Sequence, residues 1–118
     1  MIKVIKSFGW AINGIKTVWR EEINFRLECF IALAVIILAF ILNFSFSELL
    51  AVMISVVLVL TAEIINTAVE DLCNKIEPNQ DPLIGKIKDT MAAFVLFISF
   101  GTVVIGLLVF CHHFLNYF

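Results

Sequence analysis

The sequence predicts an all-α integral membrane protein, with one N-terminal amphipathic interfacial helix and three transmembrane helices, and three observations carry that prediction. Hydrophobic residues make up 62% of the 118 residues and charged residues only 15%, against about 45–50% and 25% in ordinary soluble domains. A chain this short cannot hide that much apolar surface in a core of its own. Three apolar runs are each long enough to cross a hydrocarbon layer about 30 Å thick, and the charges concentrate in the first quarter of the chain and around one later loop. The length suits a single domain, 1–118. A net charge of −2 offers no basic field for nucleic acid.

The first element runs over 2–20. Val4, Phe8, Ala11, Ile12, Ile15, Val18 and Trp19 share one helical face, and Lys3, Lys6, Asn13, Lys16 and Arg20 share the other. This helix is too mixed to span and lacks the charged start, apolar core and cleavage site of a signal peptide; it suits a membrane surface with anionic headgroups. The polar cluster from Arg20 to Glu28 follows, and the first span is expected over about 26–46. Asn43 to Glu48 reads as a tight turn, with Ser47 as N-cap of the second span and Glu48 complementing its positive end. That span covers about 48–74. Both prolines, Pro78 and Pro82, lie in the polar loop that follows. The third span, about 83–116, contains Gly101 and Gly106, expected to permit close helix packing.

Cys29, Cys73 and Cys111 are odd in number and widely spaced, so they read as small apolar fillers. His112 and His113 are neighbours that point in different directions on a helix and read as interfacial residues rather than metal ligands. Lysine and arginine set the orientation: the N-terminus and the 75–88 loop are basic, and the 43–48 turn and the carboxyl end are not. The N-terminus is therefore expected in the cytoplasm and the C-terminus outside.

Glu63, Asn66 and Glu70 fall at i, i+3 and i+7 near the end of an apolar helix, forming one polar stripe. Two glutamates on one stripe repel unless a cation or a proton lies between them. The orientation puts Glu22, this stripe and Lys88-Asp89 at one end of the bundle. Glu22 and Glu70 can hold a divalent cation, since Mg²⁺ takes one or two carboxylates along with phosphate oxygens and water. Lys88 supplies a positive charge for a phosphate, Asn66 an amide to position either partner, and Glu63, furthest into the bundle, a general base for a lipid hydroxyl. The combination points to phosphoryl transfer to a lipid alcohol. Two other readings use less of it. A proton- or cation-coupled transporter subunit working through Glu63 and Glu70 leaves Lys88 and Asp89 idle, and a polar clamp between helices leaves Glu22 unexplained. No Walker A motif is present, because Gly85-Lys86 is followed by Ile87 and no glycine stands at the required earlier position.

Three segments resemble the motifs of the small prokaryotic integral-membrane diacylglycerol kinase and undecaprenol kinase family: Asn13 to Arg26, Glu63 to Glu70, and Pro82-Leu83 followed by Lys88-Asp89. The resemblance covers nearly the whole chain. It implies a kinase that transfers the γ-phosphate of Mg-ATP to the hydroxyl of diacylglycerol or undecaprenol, in a bacterial cytoplasmic (inner) membrane, built as a homotrimer with shared active sites. It implies Glu63 as catalytic base, Glu22 and Glu70 as Mg²⁺ ligands, and Lys3, Trp10, Glu22, Glu70, Asp81, Lys88 and Asp89 at the nucleotide. Lys16, Trp19, Asn24, Glu28 and Asn66 would bind or position the lipid. The chain departs from the family pattern at Asn74, where the motif has an aspartate, and at Asp81, where many relatives have a histidine; both positions bear on nucleotide preference.

Overall fold

A computed structural model describes residues 1–117, Tyr117 by its backbone alone. Among these residues there are four helices: α1 (Ile2–Glu21), α2 (Ile23–Ile41), α3 (Phe46–Ile76) and α4 (Pro82–Tyr117). The last three are long and apolar enough to cross a membrane. Their outer faces carry exposed Phe40, Leu96, Phe97 and Leu115, a surface that lipid satisfies and water does not. The chain is a multi-pass membrane protein.

α3 is the central element. It packs against each of the other helices, most extensively against α4. At about 1.5 Å per residue, α3 and α4 are about 46 and 54 Å long, well beyond the hydrocarbon thickness of about 30 Å. Their ends near the 77–81 loop carry Glu70, Asp71, Lys86, Lys88 and Asp89, charges that are costly inside hydrocarbon.

Each junction has a local cause. α1 and α2 are separated by Glu22 alone, which is extended at φ −114° and ψ 107°; Trp19 braces the bend with edge contacts to Phe25 and Phe30 at 6.5 and 5.9 Å between ring centroids. Apart from Val18, no residue of α1 is buried, so the apolar face predicted from its sequence pattern is left open to a surface outside the chain.

The first span stops at Ile41, earlier than the sequence suggested. Asn43 takes a left-handed φ of 58°, Asn43 N–H donates to Phe40 O and Phe44 N–H to Ala39 O, and together these form a Schellman end. Asparagine tolerates that conformation better than most residues. The N-cap of α3 is Ser45 rather than Ser47: Ser45 Oγ accepts from Glu48 N–H, and Glu48 Oε1 accepts from Ser45 N–H at 2.8 Å. This is a capping box, written in the sequence as Ser45-x-x-Glu48. Phe44, just before the cap, packs with Ala39, Val52 and Leu49. α4 starts with proline at its first position, where no N–H is needed, and Asp81 Oδ2 caps it by accepting from Leu83 and Ile84 N–H at 3.0 and 3.1 Å.

Two further expectations change. A Cβ built at Gly101 or Gly106 meets nothing within 4 Å, so neither glycine serves a close helix contact within this chain. His112 and His113 both turn onto one carboxylate: their Nδ1 atoms lie 3.3 and 3.1 Å from Glu48 Oε2 and Oε1. Adjacent side chains on a helix diverge at the backbone, but two imidazoles can converge on the two oxygens of one carboxylate.

Candidate active site

Carboxyl groups pair across the gap between α3 and the α1–α2 segment. Glu28 and Glu63 lie within hydrogen-bonding reach of each other, as do Glu22 and Glu70 and Glu21 and Asp71. The registry follows from antiparallel packing of α2 on α3: moving up α2 from Glu22 to Glu28 matches moving down α3 from Glu70 to Glu63. Glu63 is the deepest of these groups, only 2% exposed. Thr67, also buried, donates its hydroxyl to Glu63 O at 2.9 Å, which leaves the Glu63 carboxyl to the Glu28 side. Asn66 is half-buried one turn along.

Glu22, at the bend outside the spans, has its pKa raised from 4.5, first by desolvation and then by the charges of Glu70 and Glu63. Acids forced together in this way call for a proton or a cation between them. Among the described residues no group of three or more His, Cys, Asp or Glu side chains could hold a metal unaided. Two carboxylates with open positions fit Mg²⁺ shared with phosphate oxygens, the usual arrangement for that ion at phosphoryl-transfer sites.

Lys88 stands on the first turns of α4 with its Nζ donating to Asn74 Oδ1, 2.8 Å away on α3. Asp89 is exposed beside it. Asp81 spends its side chain on the N-terminus of α4.

Of the α1 residues, Glu21 is the one that joins an acid pair. Lys16, Trp19 and Arg20 line a shallow hollow of about 520 Å³ near the bend, and Asn24 is exposed just beyond it. Trp10 and Lys3 lie about 18 and 28 Å along α1 from Glu22, so one chain alone does not bring them to the carboxyl pairs.

The residue-by-residue reading missed the Glu21–Asp71 pair. Its signal was adjacency, since Glu21 precedes Glu22 and Asp71 follows Glu70, and helices that bring one pair together bring the next as well. It also missed the Glu48 cluster with His112 and His113, because no sequence spacing relates residues 64 and 65 positions apart.

Residues 9–110 match the prokaryotic diacylglycerol kinase family. Among similar proteins, the diacylglycerol kinase of Haemophilus influenzae is 35% identical over 92 residues, 78% of each chain. The undecaprenol kinase of Bacillus subtilis is 32% identical over 108 residues, covering 92% of this chain and 88% of its own, and the diacylglycerol kinase of Escherichia coli K12 is 29% identical over 112 residues, 95% and 92%. The three acid pairs, Lys88, the first two spans and most of the third fall inside the matched region, and the chain belongs to the prokaryotic diacylglycerol kinase family.

Proposed function

We propose that this membrane phosphotransferase moves the γ-phosphate of Mg-ATP to the hydroxyl of diacylglycerol or undecaprenol, giving phosphatidic acid or undecaprenyl phosphate. The observation that carries the reading is the stacking of Glu22–Glu70 above Glu28–Glu63 at one end of the bundle, one pair near the headgroup layer and one at the edge of the apolar layer.

Glu22 and Glu70 would hold Mg²⁺, which when bound neutralises charge on the nucleotide's phosphate oxygens. Lys88, kept in place by the neutral Asn74 amide, retains its full charge for the transferred phosphate, and Asp89 and Asp81 flank the nucleotide with Lys3 and Trp10. Glu63 takes the proton of the lipid hydroxyl as its oxygen bonds to the γ-phosphorus, and the bond from that phosphorus to the β,γ-bridging oxygen breaks, releasing ADP. Glu28 and Asn66 orient the hydroxyl, and Lys16, Trp19 and Asn24 guide the headgroup at the surface. Burial of Glu63 beside apolar helices keeps water from competing for the phosphate.

The site opens toward the basic end of the bundle, which suits a cytoplasmic nucleotide, with the N-terminus inside, the C-terminus outside and the chain in a bacterial cytoplasmic membrane. The distance of Lys3 and Trp10 from the acids of their own chain favours a homotrimer in which α1 of one copy serves the site of its neighbour. The whole chain, 1–118, acts as one domain. The transporter alternative gives no work to the Lys88–Asn74 contact.

The test is transfer of labelled γ-phosphate by the purified protein, with diacylglycerol and undecaprenol offered separately in mixed micelles. Mg²⁺-dependent product from at least one lipid is expected. No product from either, in folded protein, would overturn the reading.

A further inference from the structure

All eight lysines and arginines lie among the described residues, and six of them are exposed. The two that are half-buried are Lys88 and Arg26. Lys88 has Asn74 as its partner. Arg26, in the first turns of α2, makes no side-chain hydrogen bond and no ion pair with any described residue. The charges felt by Glu22, one turn away, are those of Glu70, Glu63 and Glu21, so the guanidinium is not spent on that acid. A cation left open at the start of an apolar span either meets a ligand or snorkels to the headgroups. We propose that Arg26 is a second cationic residue for the transferred phosphate, gripping it between the nucleotide and the lipid hydroxyl; the inference rests on the lipid-kinase reading.

Register places the residue. Glu22 meets Glu70 and Glu28 meets Glu63, so Arg26, between Glu22 and Glu28 on α2, stands level with Ile65 and Asn66 of α3. It follows Glu22 by one helical turn on the same face, about 6 Å deeper at 1.5 Å per residue, and its backbone N–H donates to Glu22 O. A phosphate held at the Glu22–Glu70 level has to meet the acceptor hydroxyl at the Glu63 level. The level between them is that of Arg26.

The chemistry suits arginine. The group in transfer spreads its charge over three oxygens around the phosphorus, and a guanidinium offers a planar fork that spans two of them, where an ammonium is a point charge. The carboxyls of Glu22, Glu70, Glu28 and Glu63 bracket that level, and each one that is ionised repels an incoming phosphate. A cation at the same depth offsets the repulsion. A phospholipid headgroup presents the same phosphate chemistry from the bulk membrane instead of from the reaction, and the experiment separates these two sources.

Arg26→Gln is compared with wild type in maltoside micelles whose only added lipid is the acceptor, and again with phosphatidylglycerol present. In both, kcat is expected to fall about 10²-fold, with KM for ATP within about threefold of wild type. Arg26→Lys keeps the charge without the fork, and its kcat is expected to lie between the two. Binding supplies a readout free of turnover and of metal: with a chelator present, dodecyl phosphate and dodecanol are each titrated into the protein and followed by thermal midpoint. Arg26→Gln is expected to weaken dodecyl phosphate about tenfold and to leave dodecanol within about twofold. If wild type phosphorylates lipid and Arg26→Gln keeps kcat within about threefold, if the loss appears only with phosphatidylglycerol present, or if dodecyl phosphate binds both proteins alike, the Arg26 inference falls and the kinase reading stands. If wild type phosphorylates no acceptor, both fall.

Discussion

Lys88 Nζ donates to Asn74 Oδ1 at 2.8 Å, joining the start of α4 to the end of α3 through a neutral acceptor. An amide fixes the direction of the lysine without cancelling its charge. An aspartate at position 74, the residue of the family motif, would make an ion pair instead. Exposed pairs of this kind are worth about 0.2–1 kcal/mol, so Asn74→Asp should weaken ATP by about 1.4- to fivefold in KM with kcat little changed. Lys88→Ala should lower kcat/KM for ATP far more, because it removes the charge itself. Steady-state kinetics at fixed lipid and varied ATP would check both, and equal effects of the two substitutions would count against a phosphate role for Lys88.

Glu63→Gln keeps the shape of the buried side chain and removes its basicity. General-base catalysis contributes about 10²–10⁴-fold, so kcat should fall by at least that lower figure while KM for ATP stays within about twofold. The thermal midpoint in detergent should hold or rise, because an amide facing Glu28 relieves the encounter of two acids. A variant that turned over at the wild-type rate would remove Glu63 from the role of base.

Glu22 supplies a pH prediction. Its folded pKa lies above 4.5 through desolvation and the charges of Glu70 and Glu63. With the folded value above the unfolded one, an acidic group destabilises the metal-free protein at high pH, and that penalty disappears as pH falls through the folded pKa. Mg²⁺ needs the deprotonated carboxylate and has the opposite dependence. The rise in melting temperature on adding Mg²⁺ should therefore be largest near neutral pH and shrink toward pH 5, and Glu22→Gln should flatten the curve. A metal effect that did not change between pH 5 and 8 would separate Glu22 from the cation.

Much of this could be read from the chain before any coordinates. The three spans follow from apolar length, and the stripe of Glu63, Asn66 and Glu70 follows from helical period. Placing Glu22 against Glu70 needed only the positive-charge bias that puts both at the basic end. The 43–48 turn was expected, but the span was drawn on to 46, because the left-handed φ of Asn43 stops the helix inside an apolar run and hydropathy does not register it. Ser45 was overlooked in favour of Ser47, although the Ser45-x-x-Glu48 spacing was legible. The meeting of Glu48 with His112 and His113 was not legible, since no periodicity relates residues 64 and 65 positions apart.

The far end of the bundle supports a last prediction, about stability rather than catalysis. Glu48, 4% exposed, accepts from Ser45 N–H and is met by Nδ1 of His113, 1% exposed, and of His112, 66% exposed on its side chain. Phe44 lies 4.5 Å from the His113 ring, centroid to centroid. One carboxylate thus closes the N-terminus of α3 and ties the last turns of α4 to it. Glu48→Ala removes the reciprocal half of the capping box, a hydrogen bond worth about 0.5–1.5 kcal/mol, and strands the groups that met it, at about 1–3 kcal/mol for each buried polar group left unsatisfied. The unfolding free energy in detergent should drop by about 2–4 kcal/mol. Glu48→Gln keeps an acceptor for Ser45 N–H and should recover at least half of that. His112→Ala should cost under about 1 kcal/mol, because water replaces what an exposed imidazole gives up. None of the three should change KM for ATP, since Glu48 is 15 residues, about 22 Å of helix, from Glu63. Denaturant titrations of the three variants beside wild type would check the order, and a His112→Ala cost equal to that of Glu48→Ala would place the latch on the exposed histidine instead of on the buried contacts.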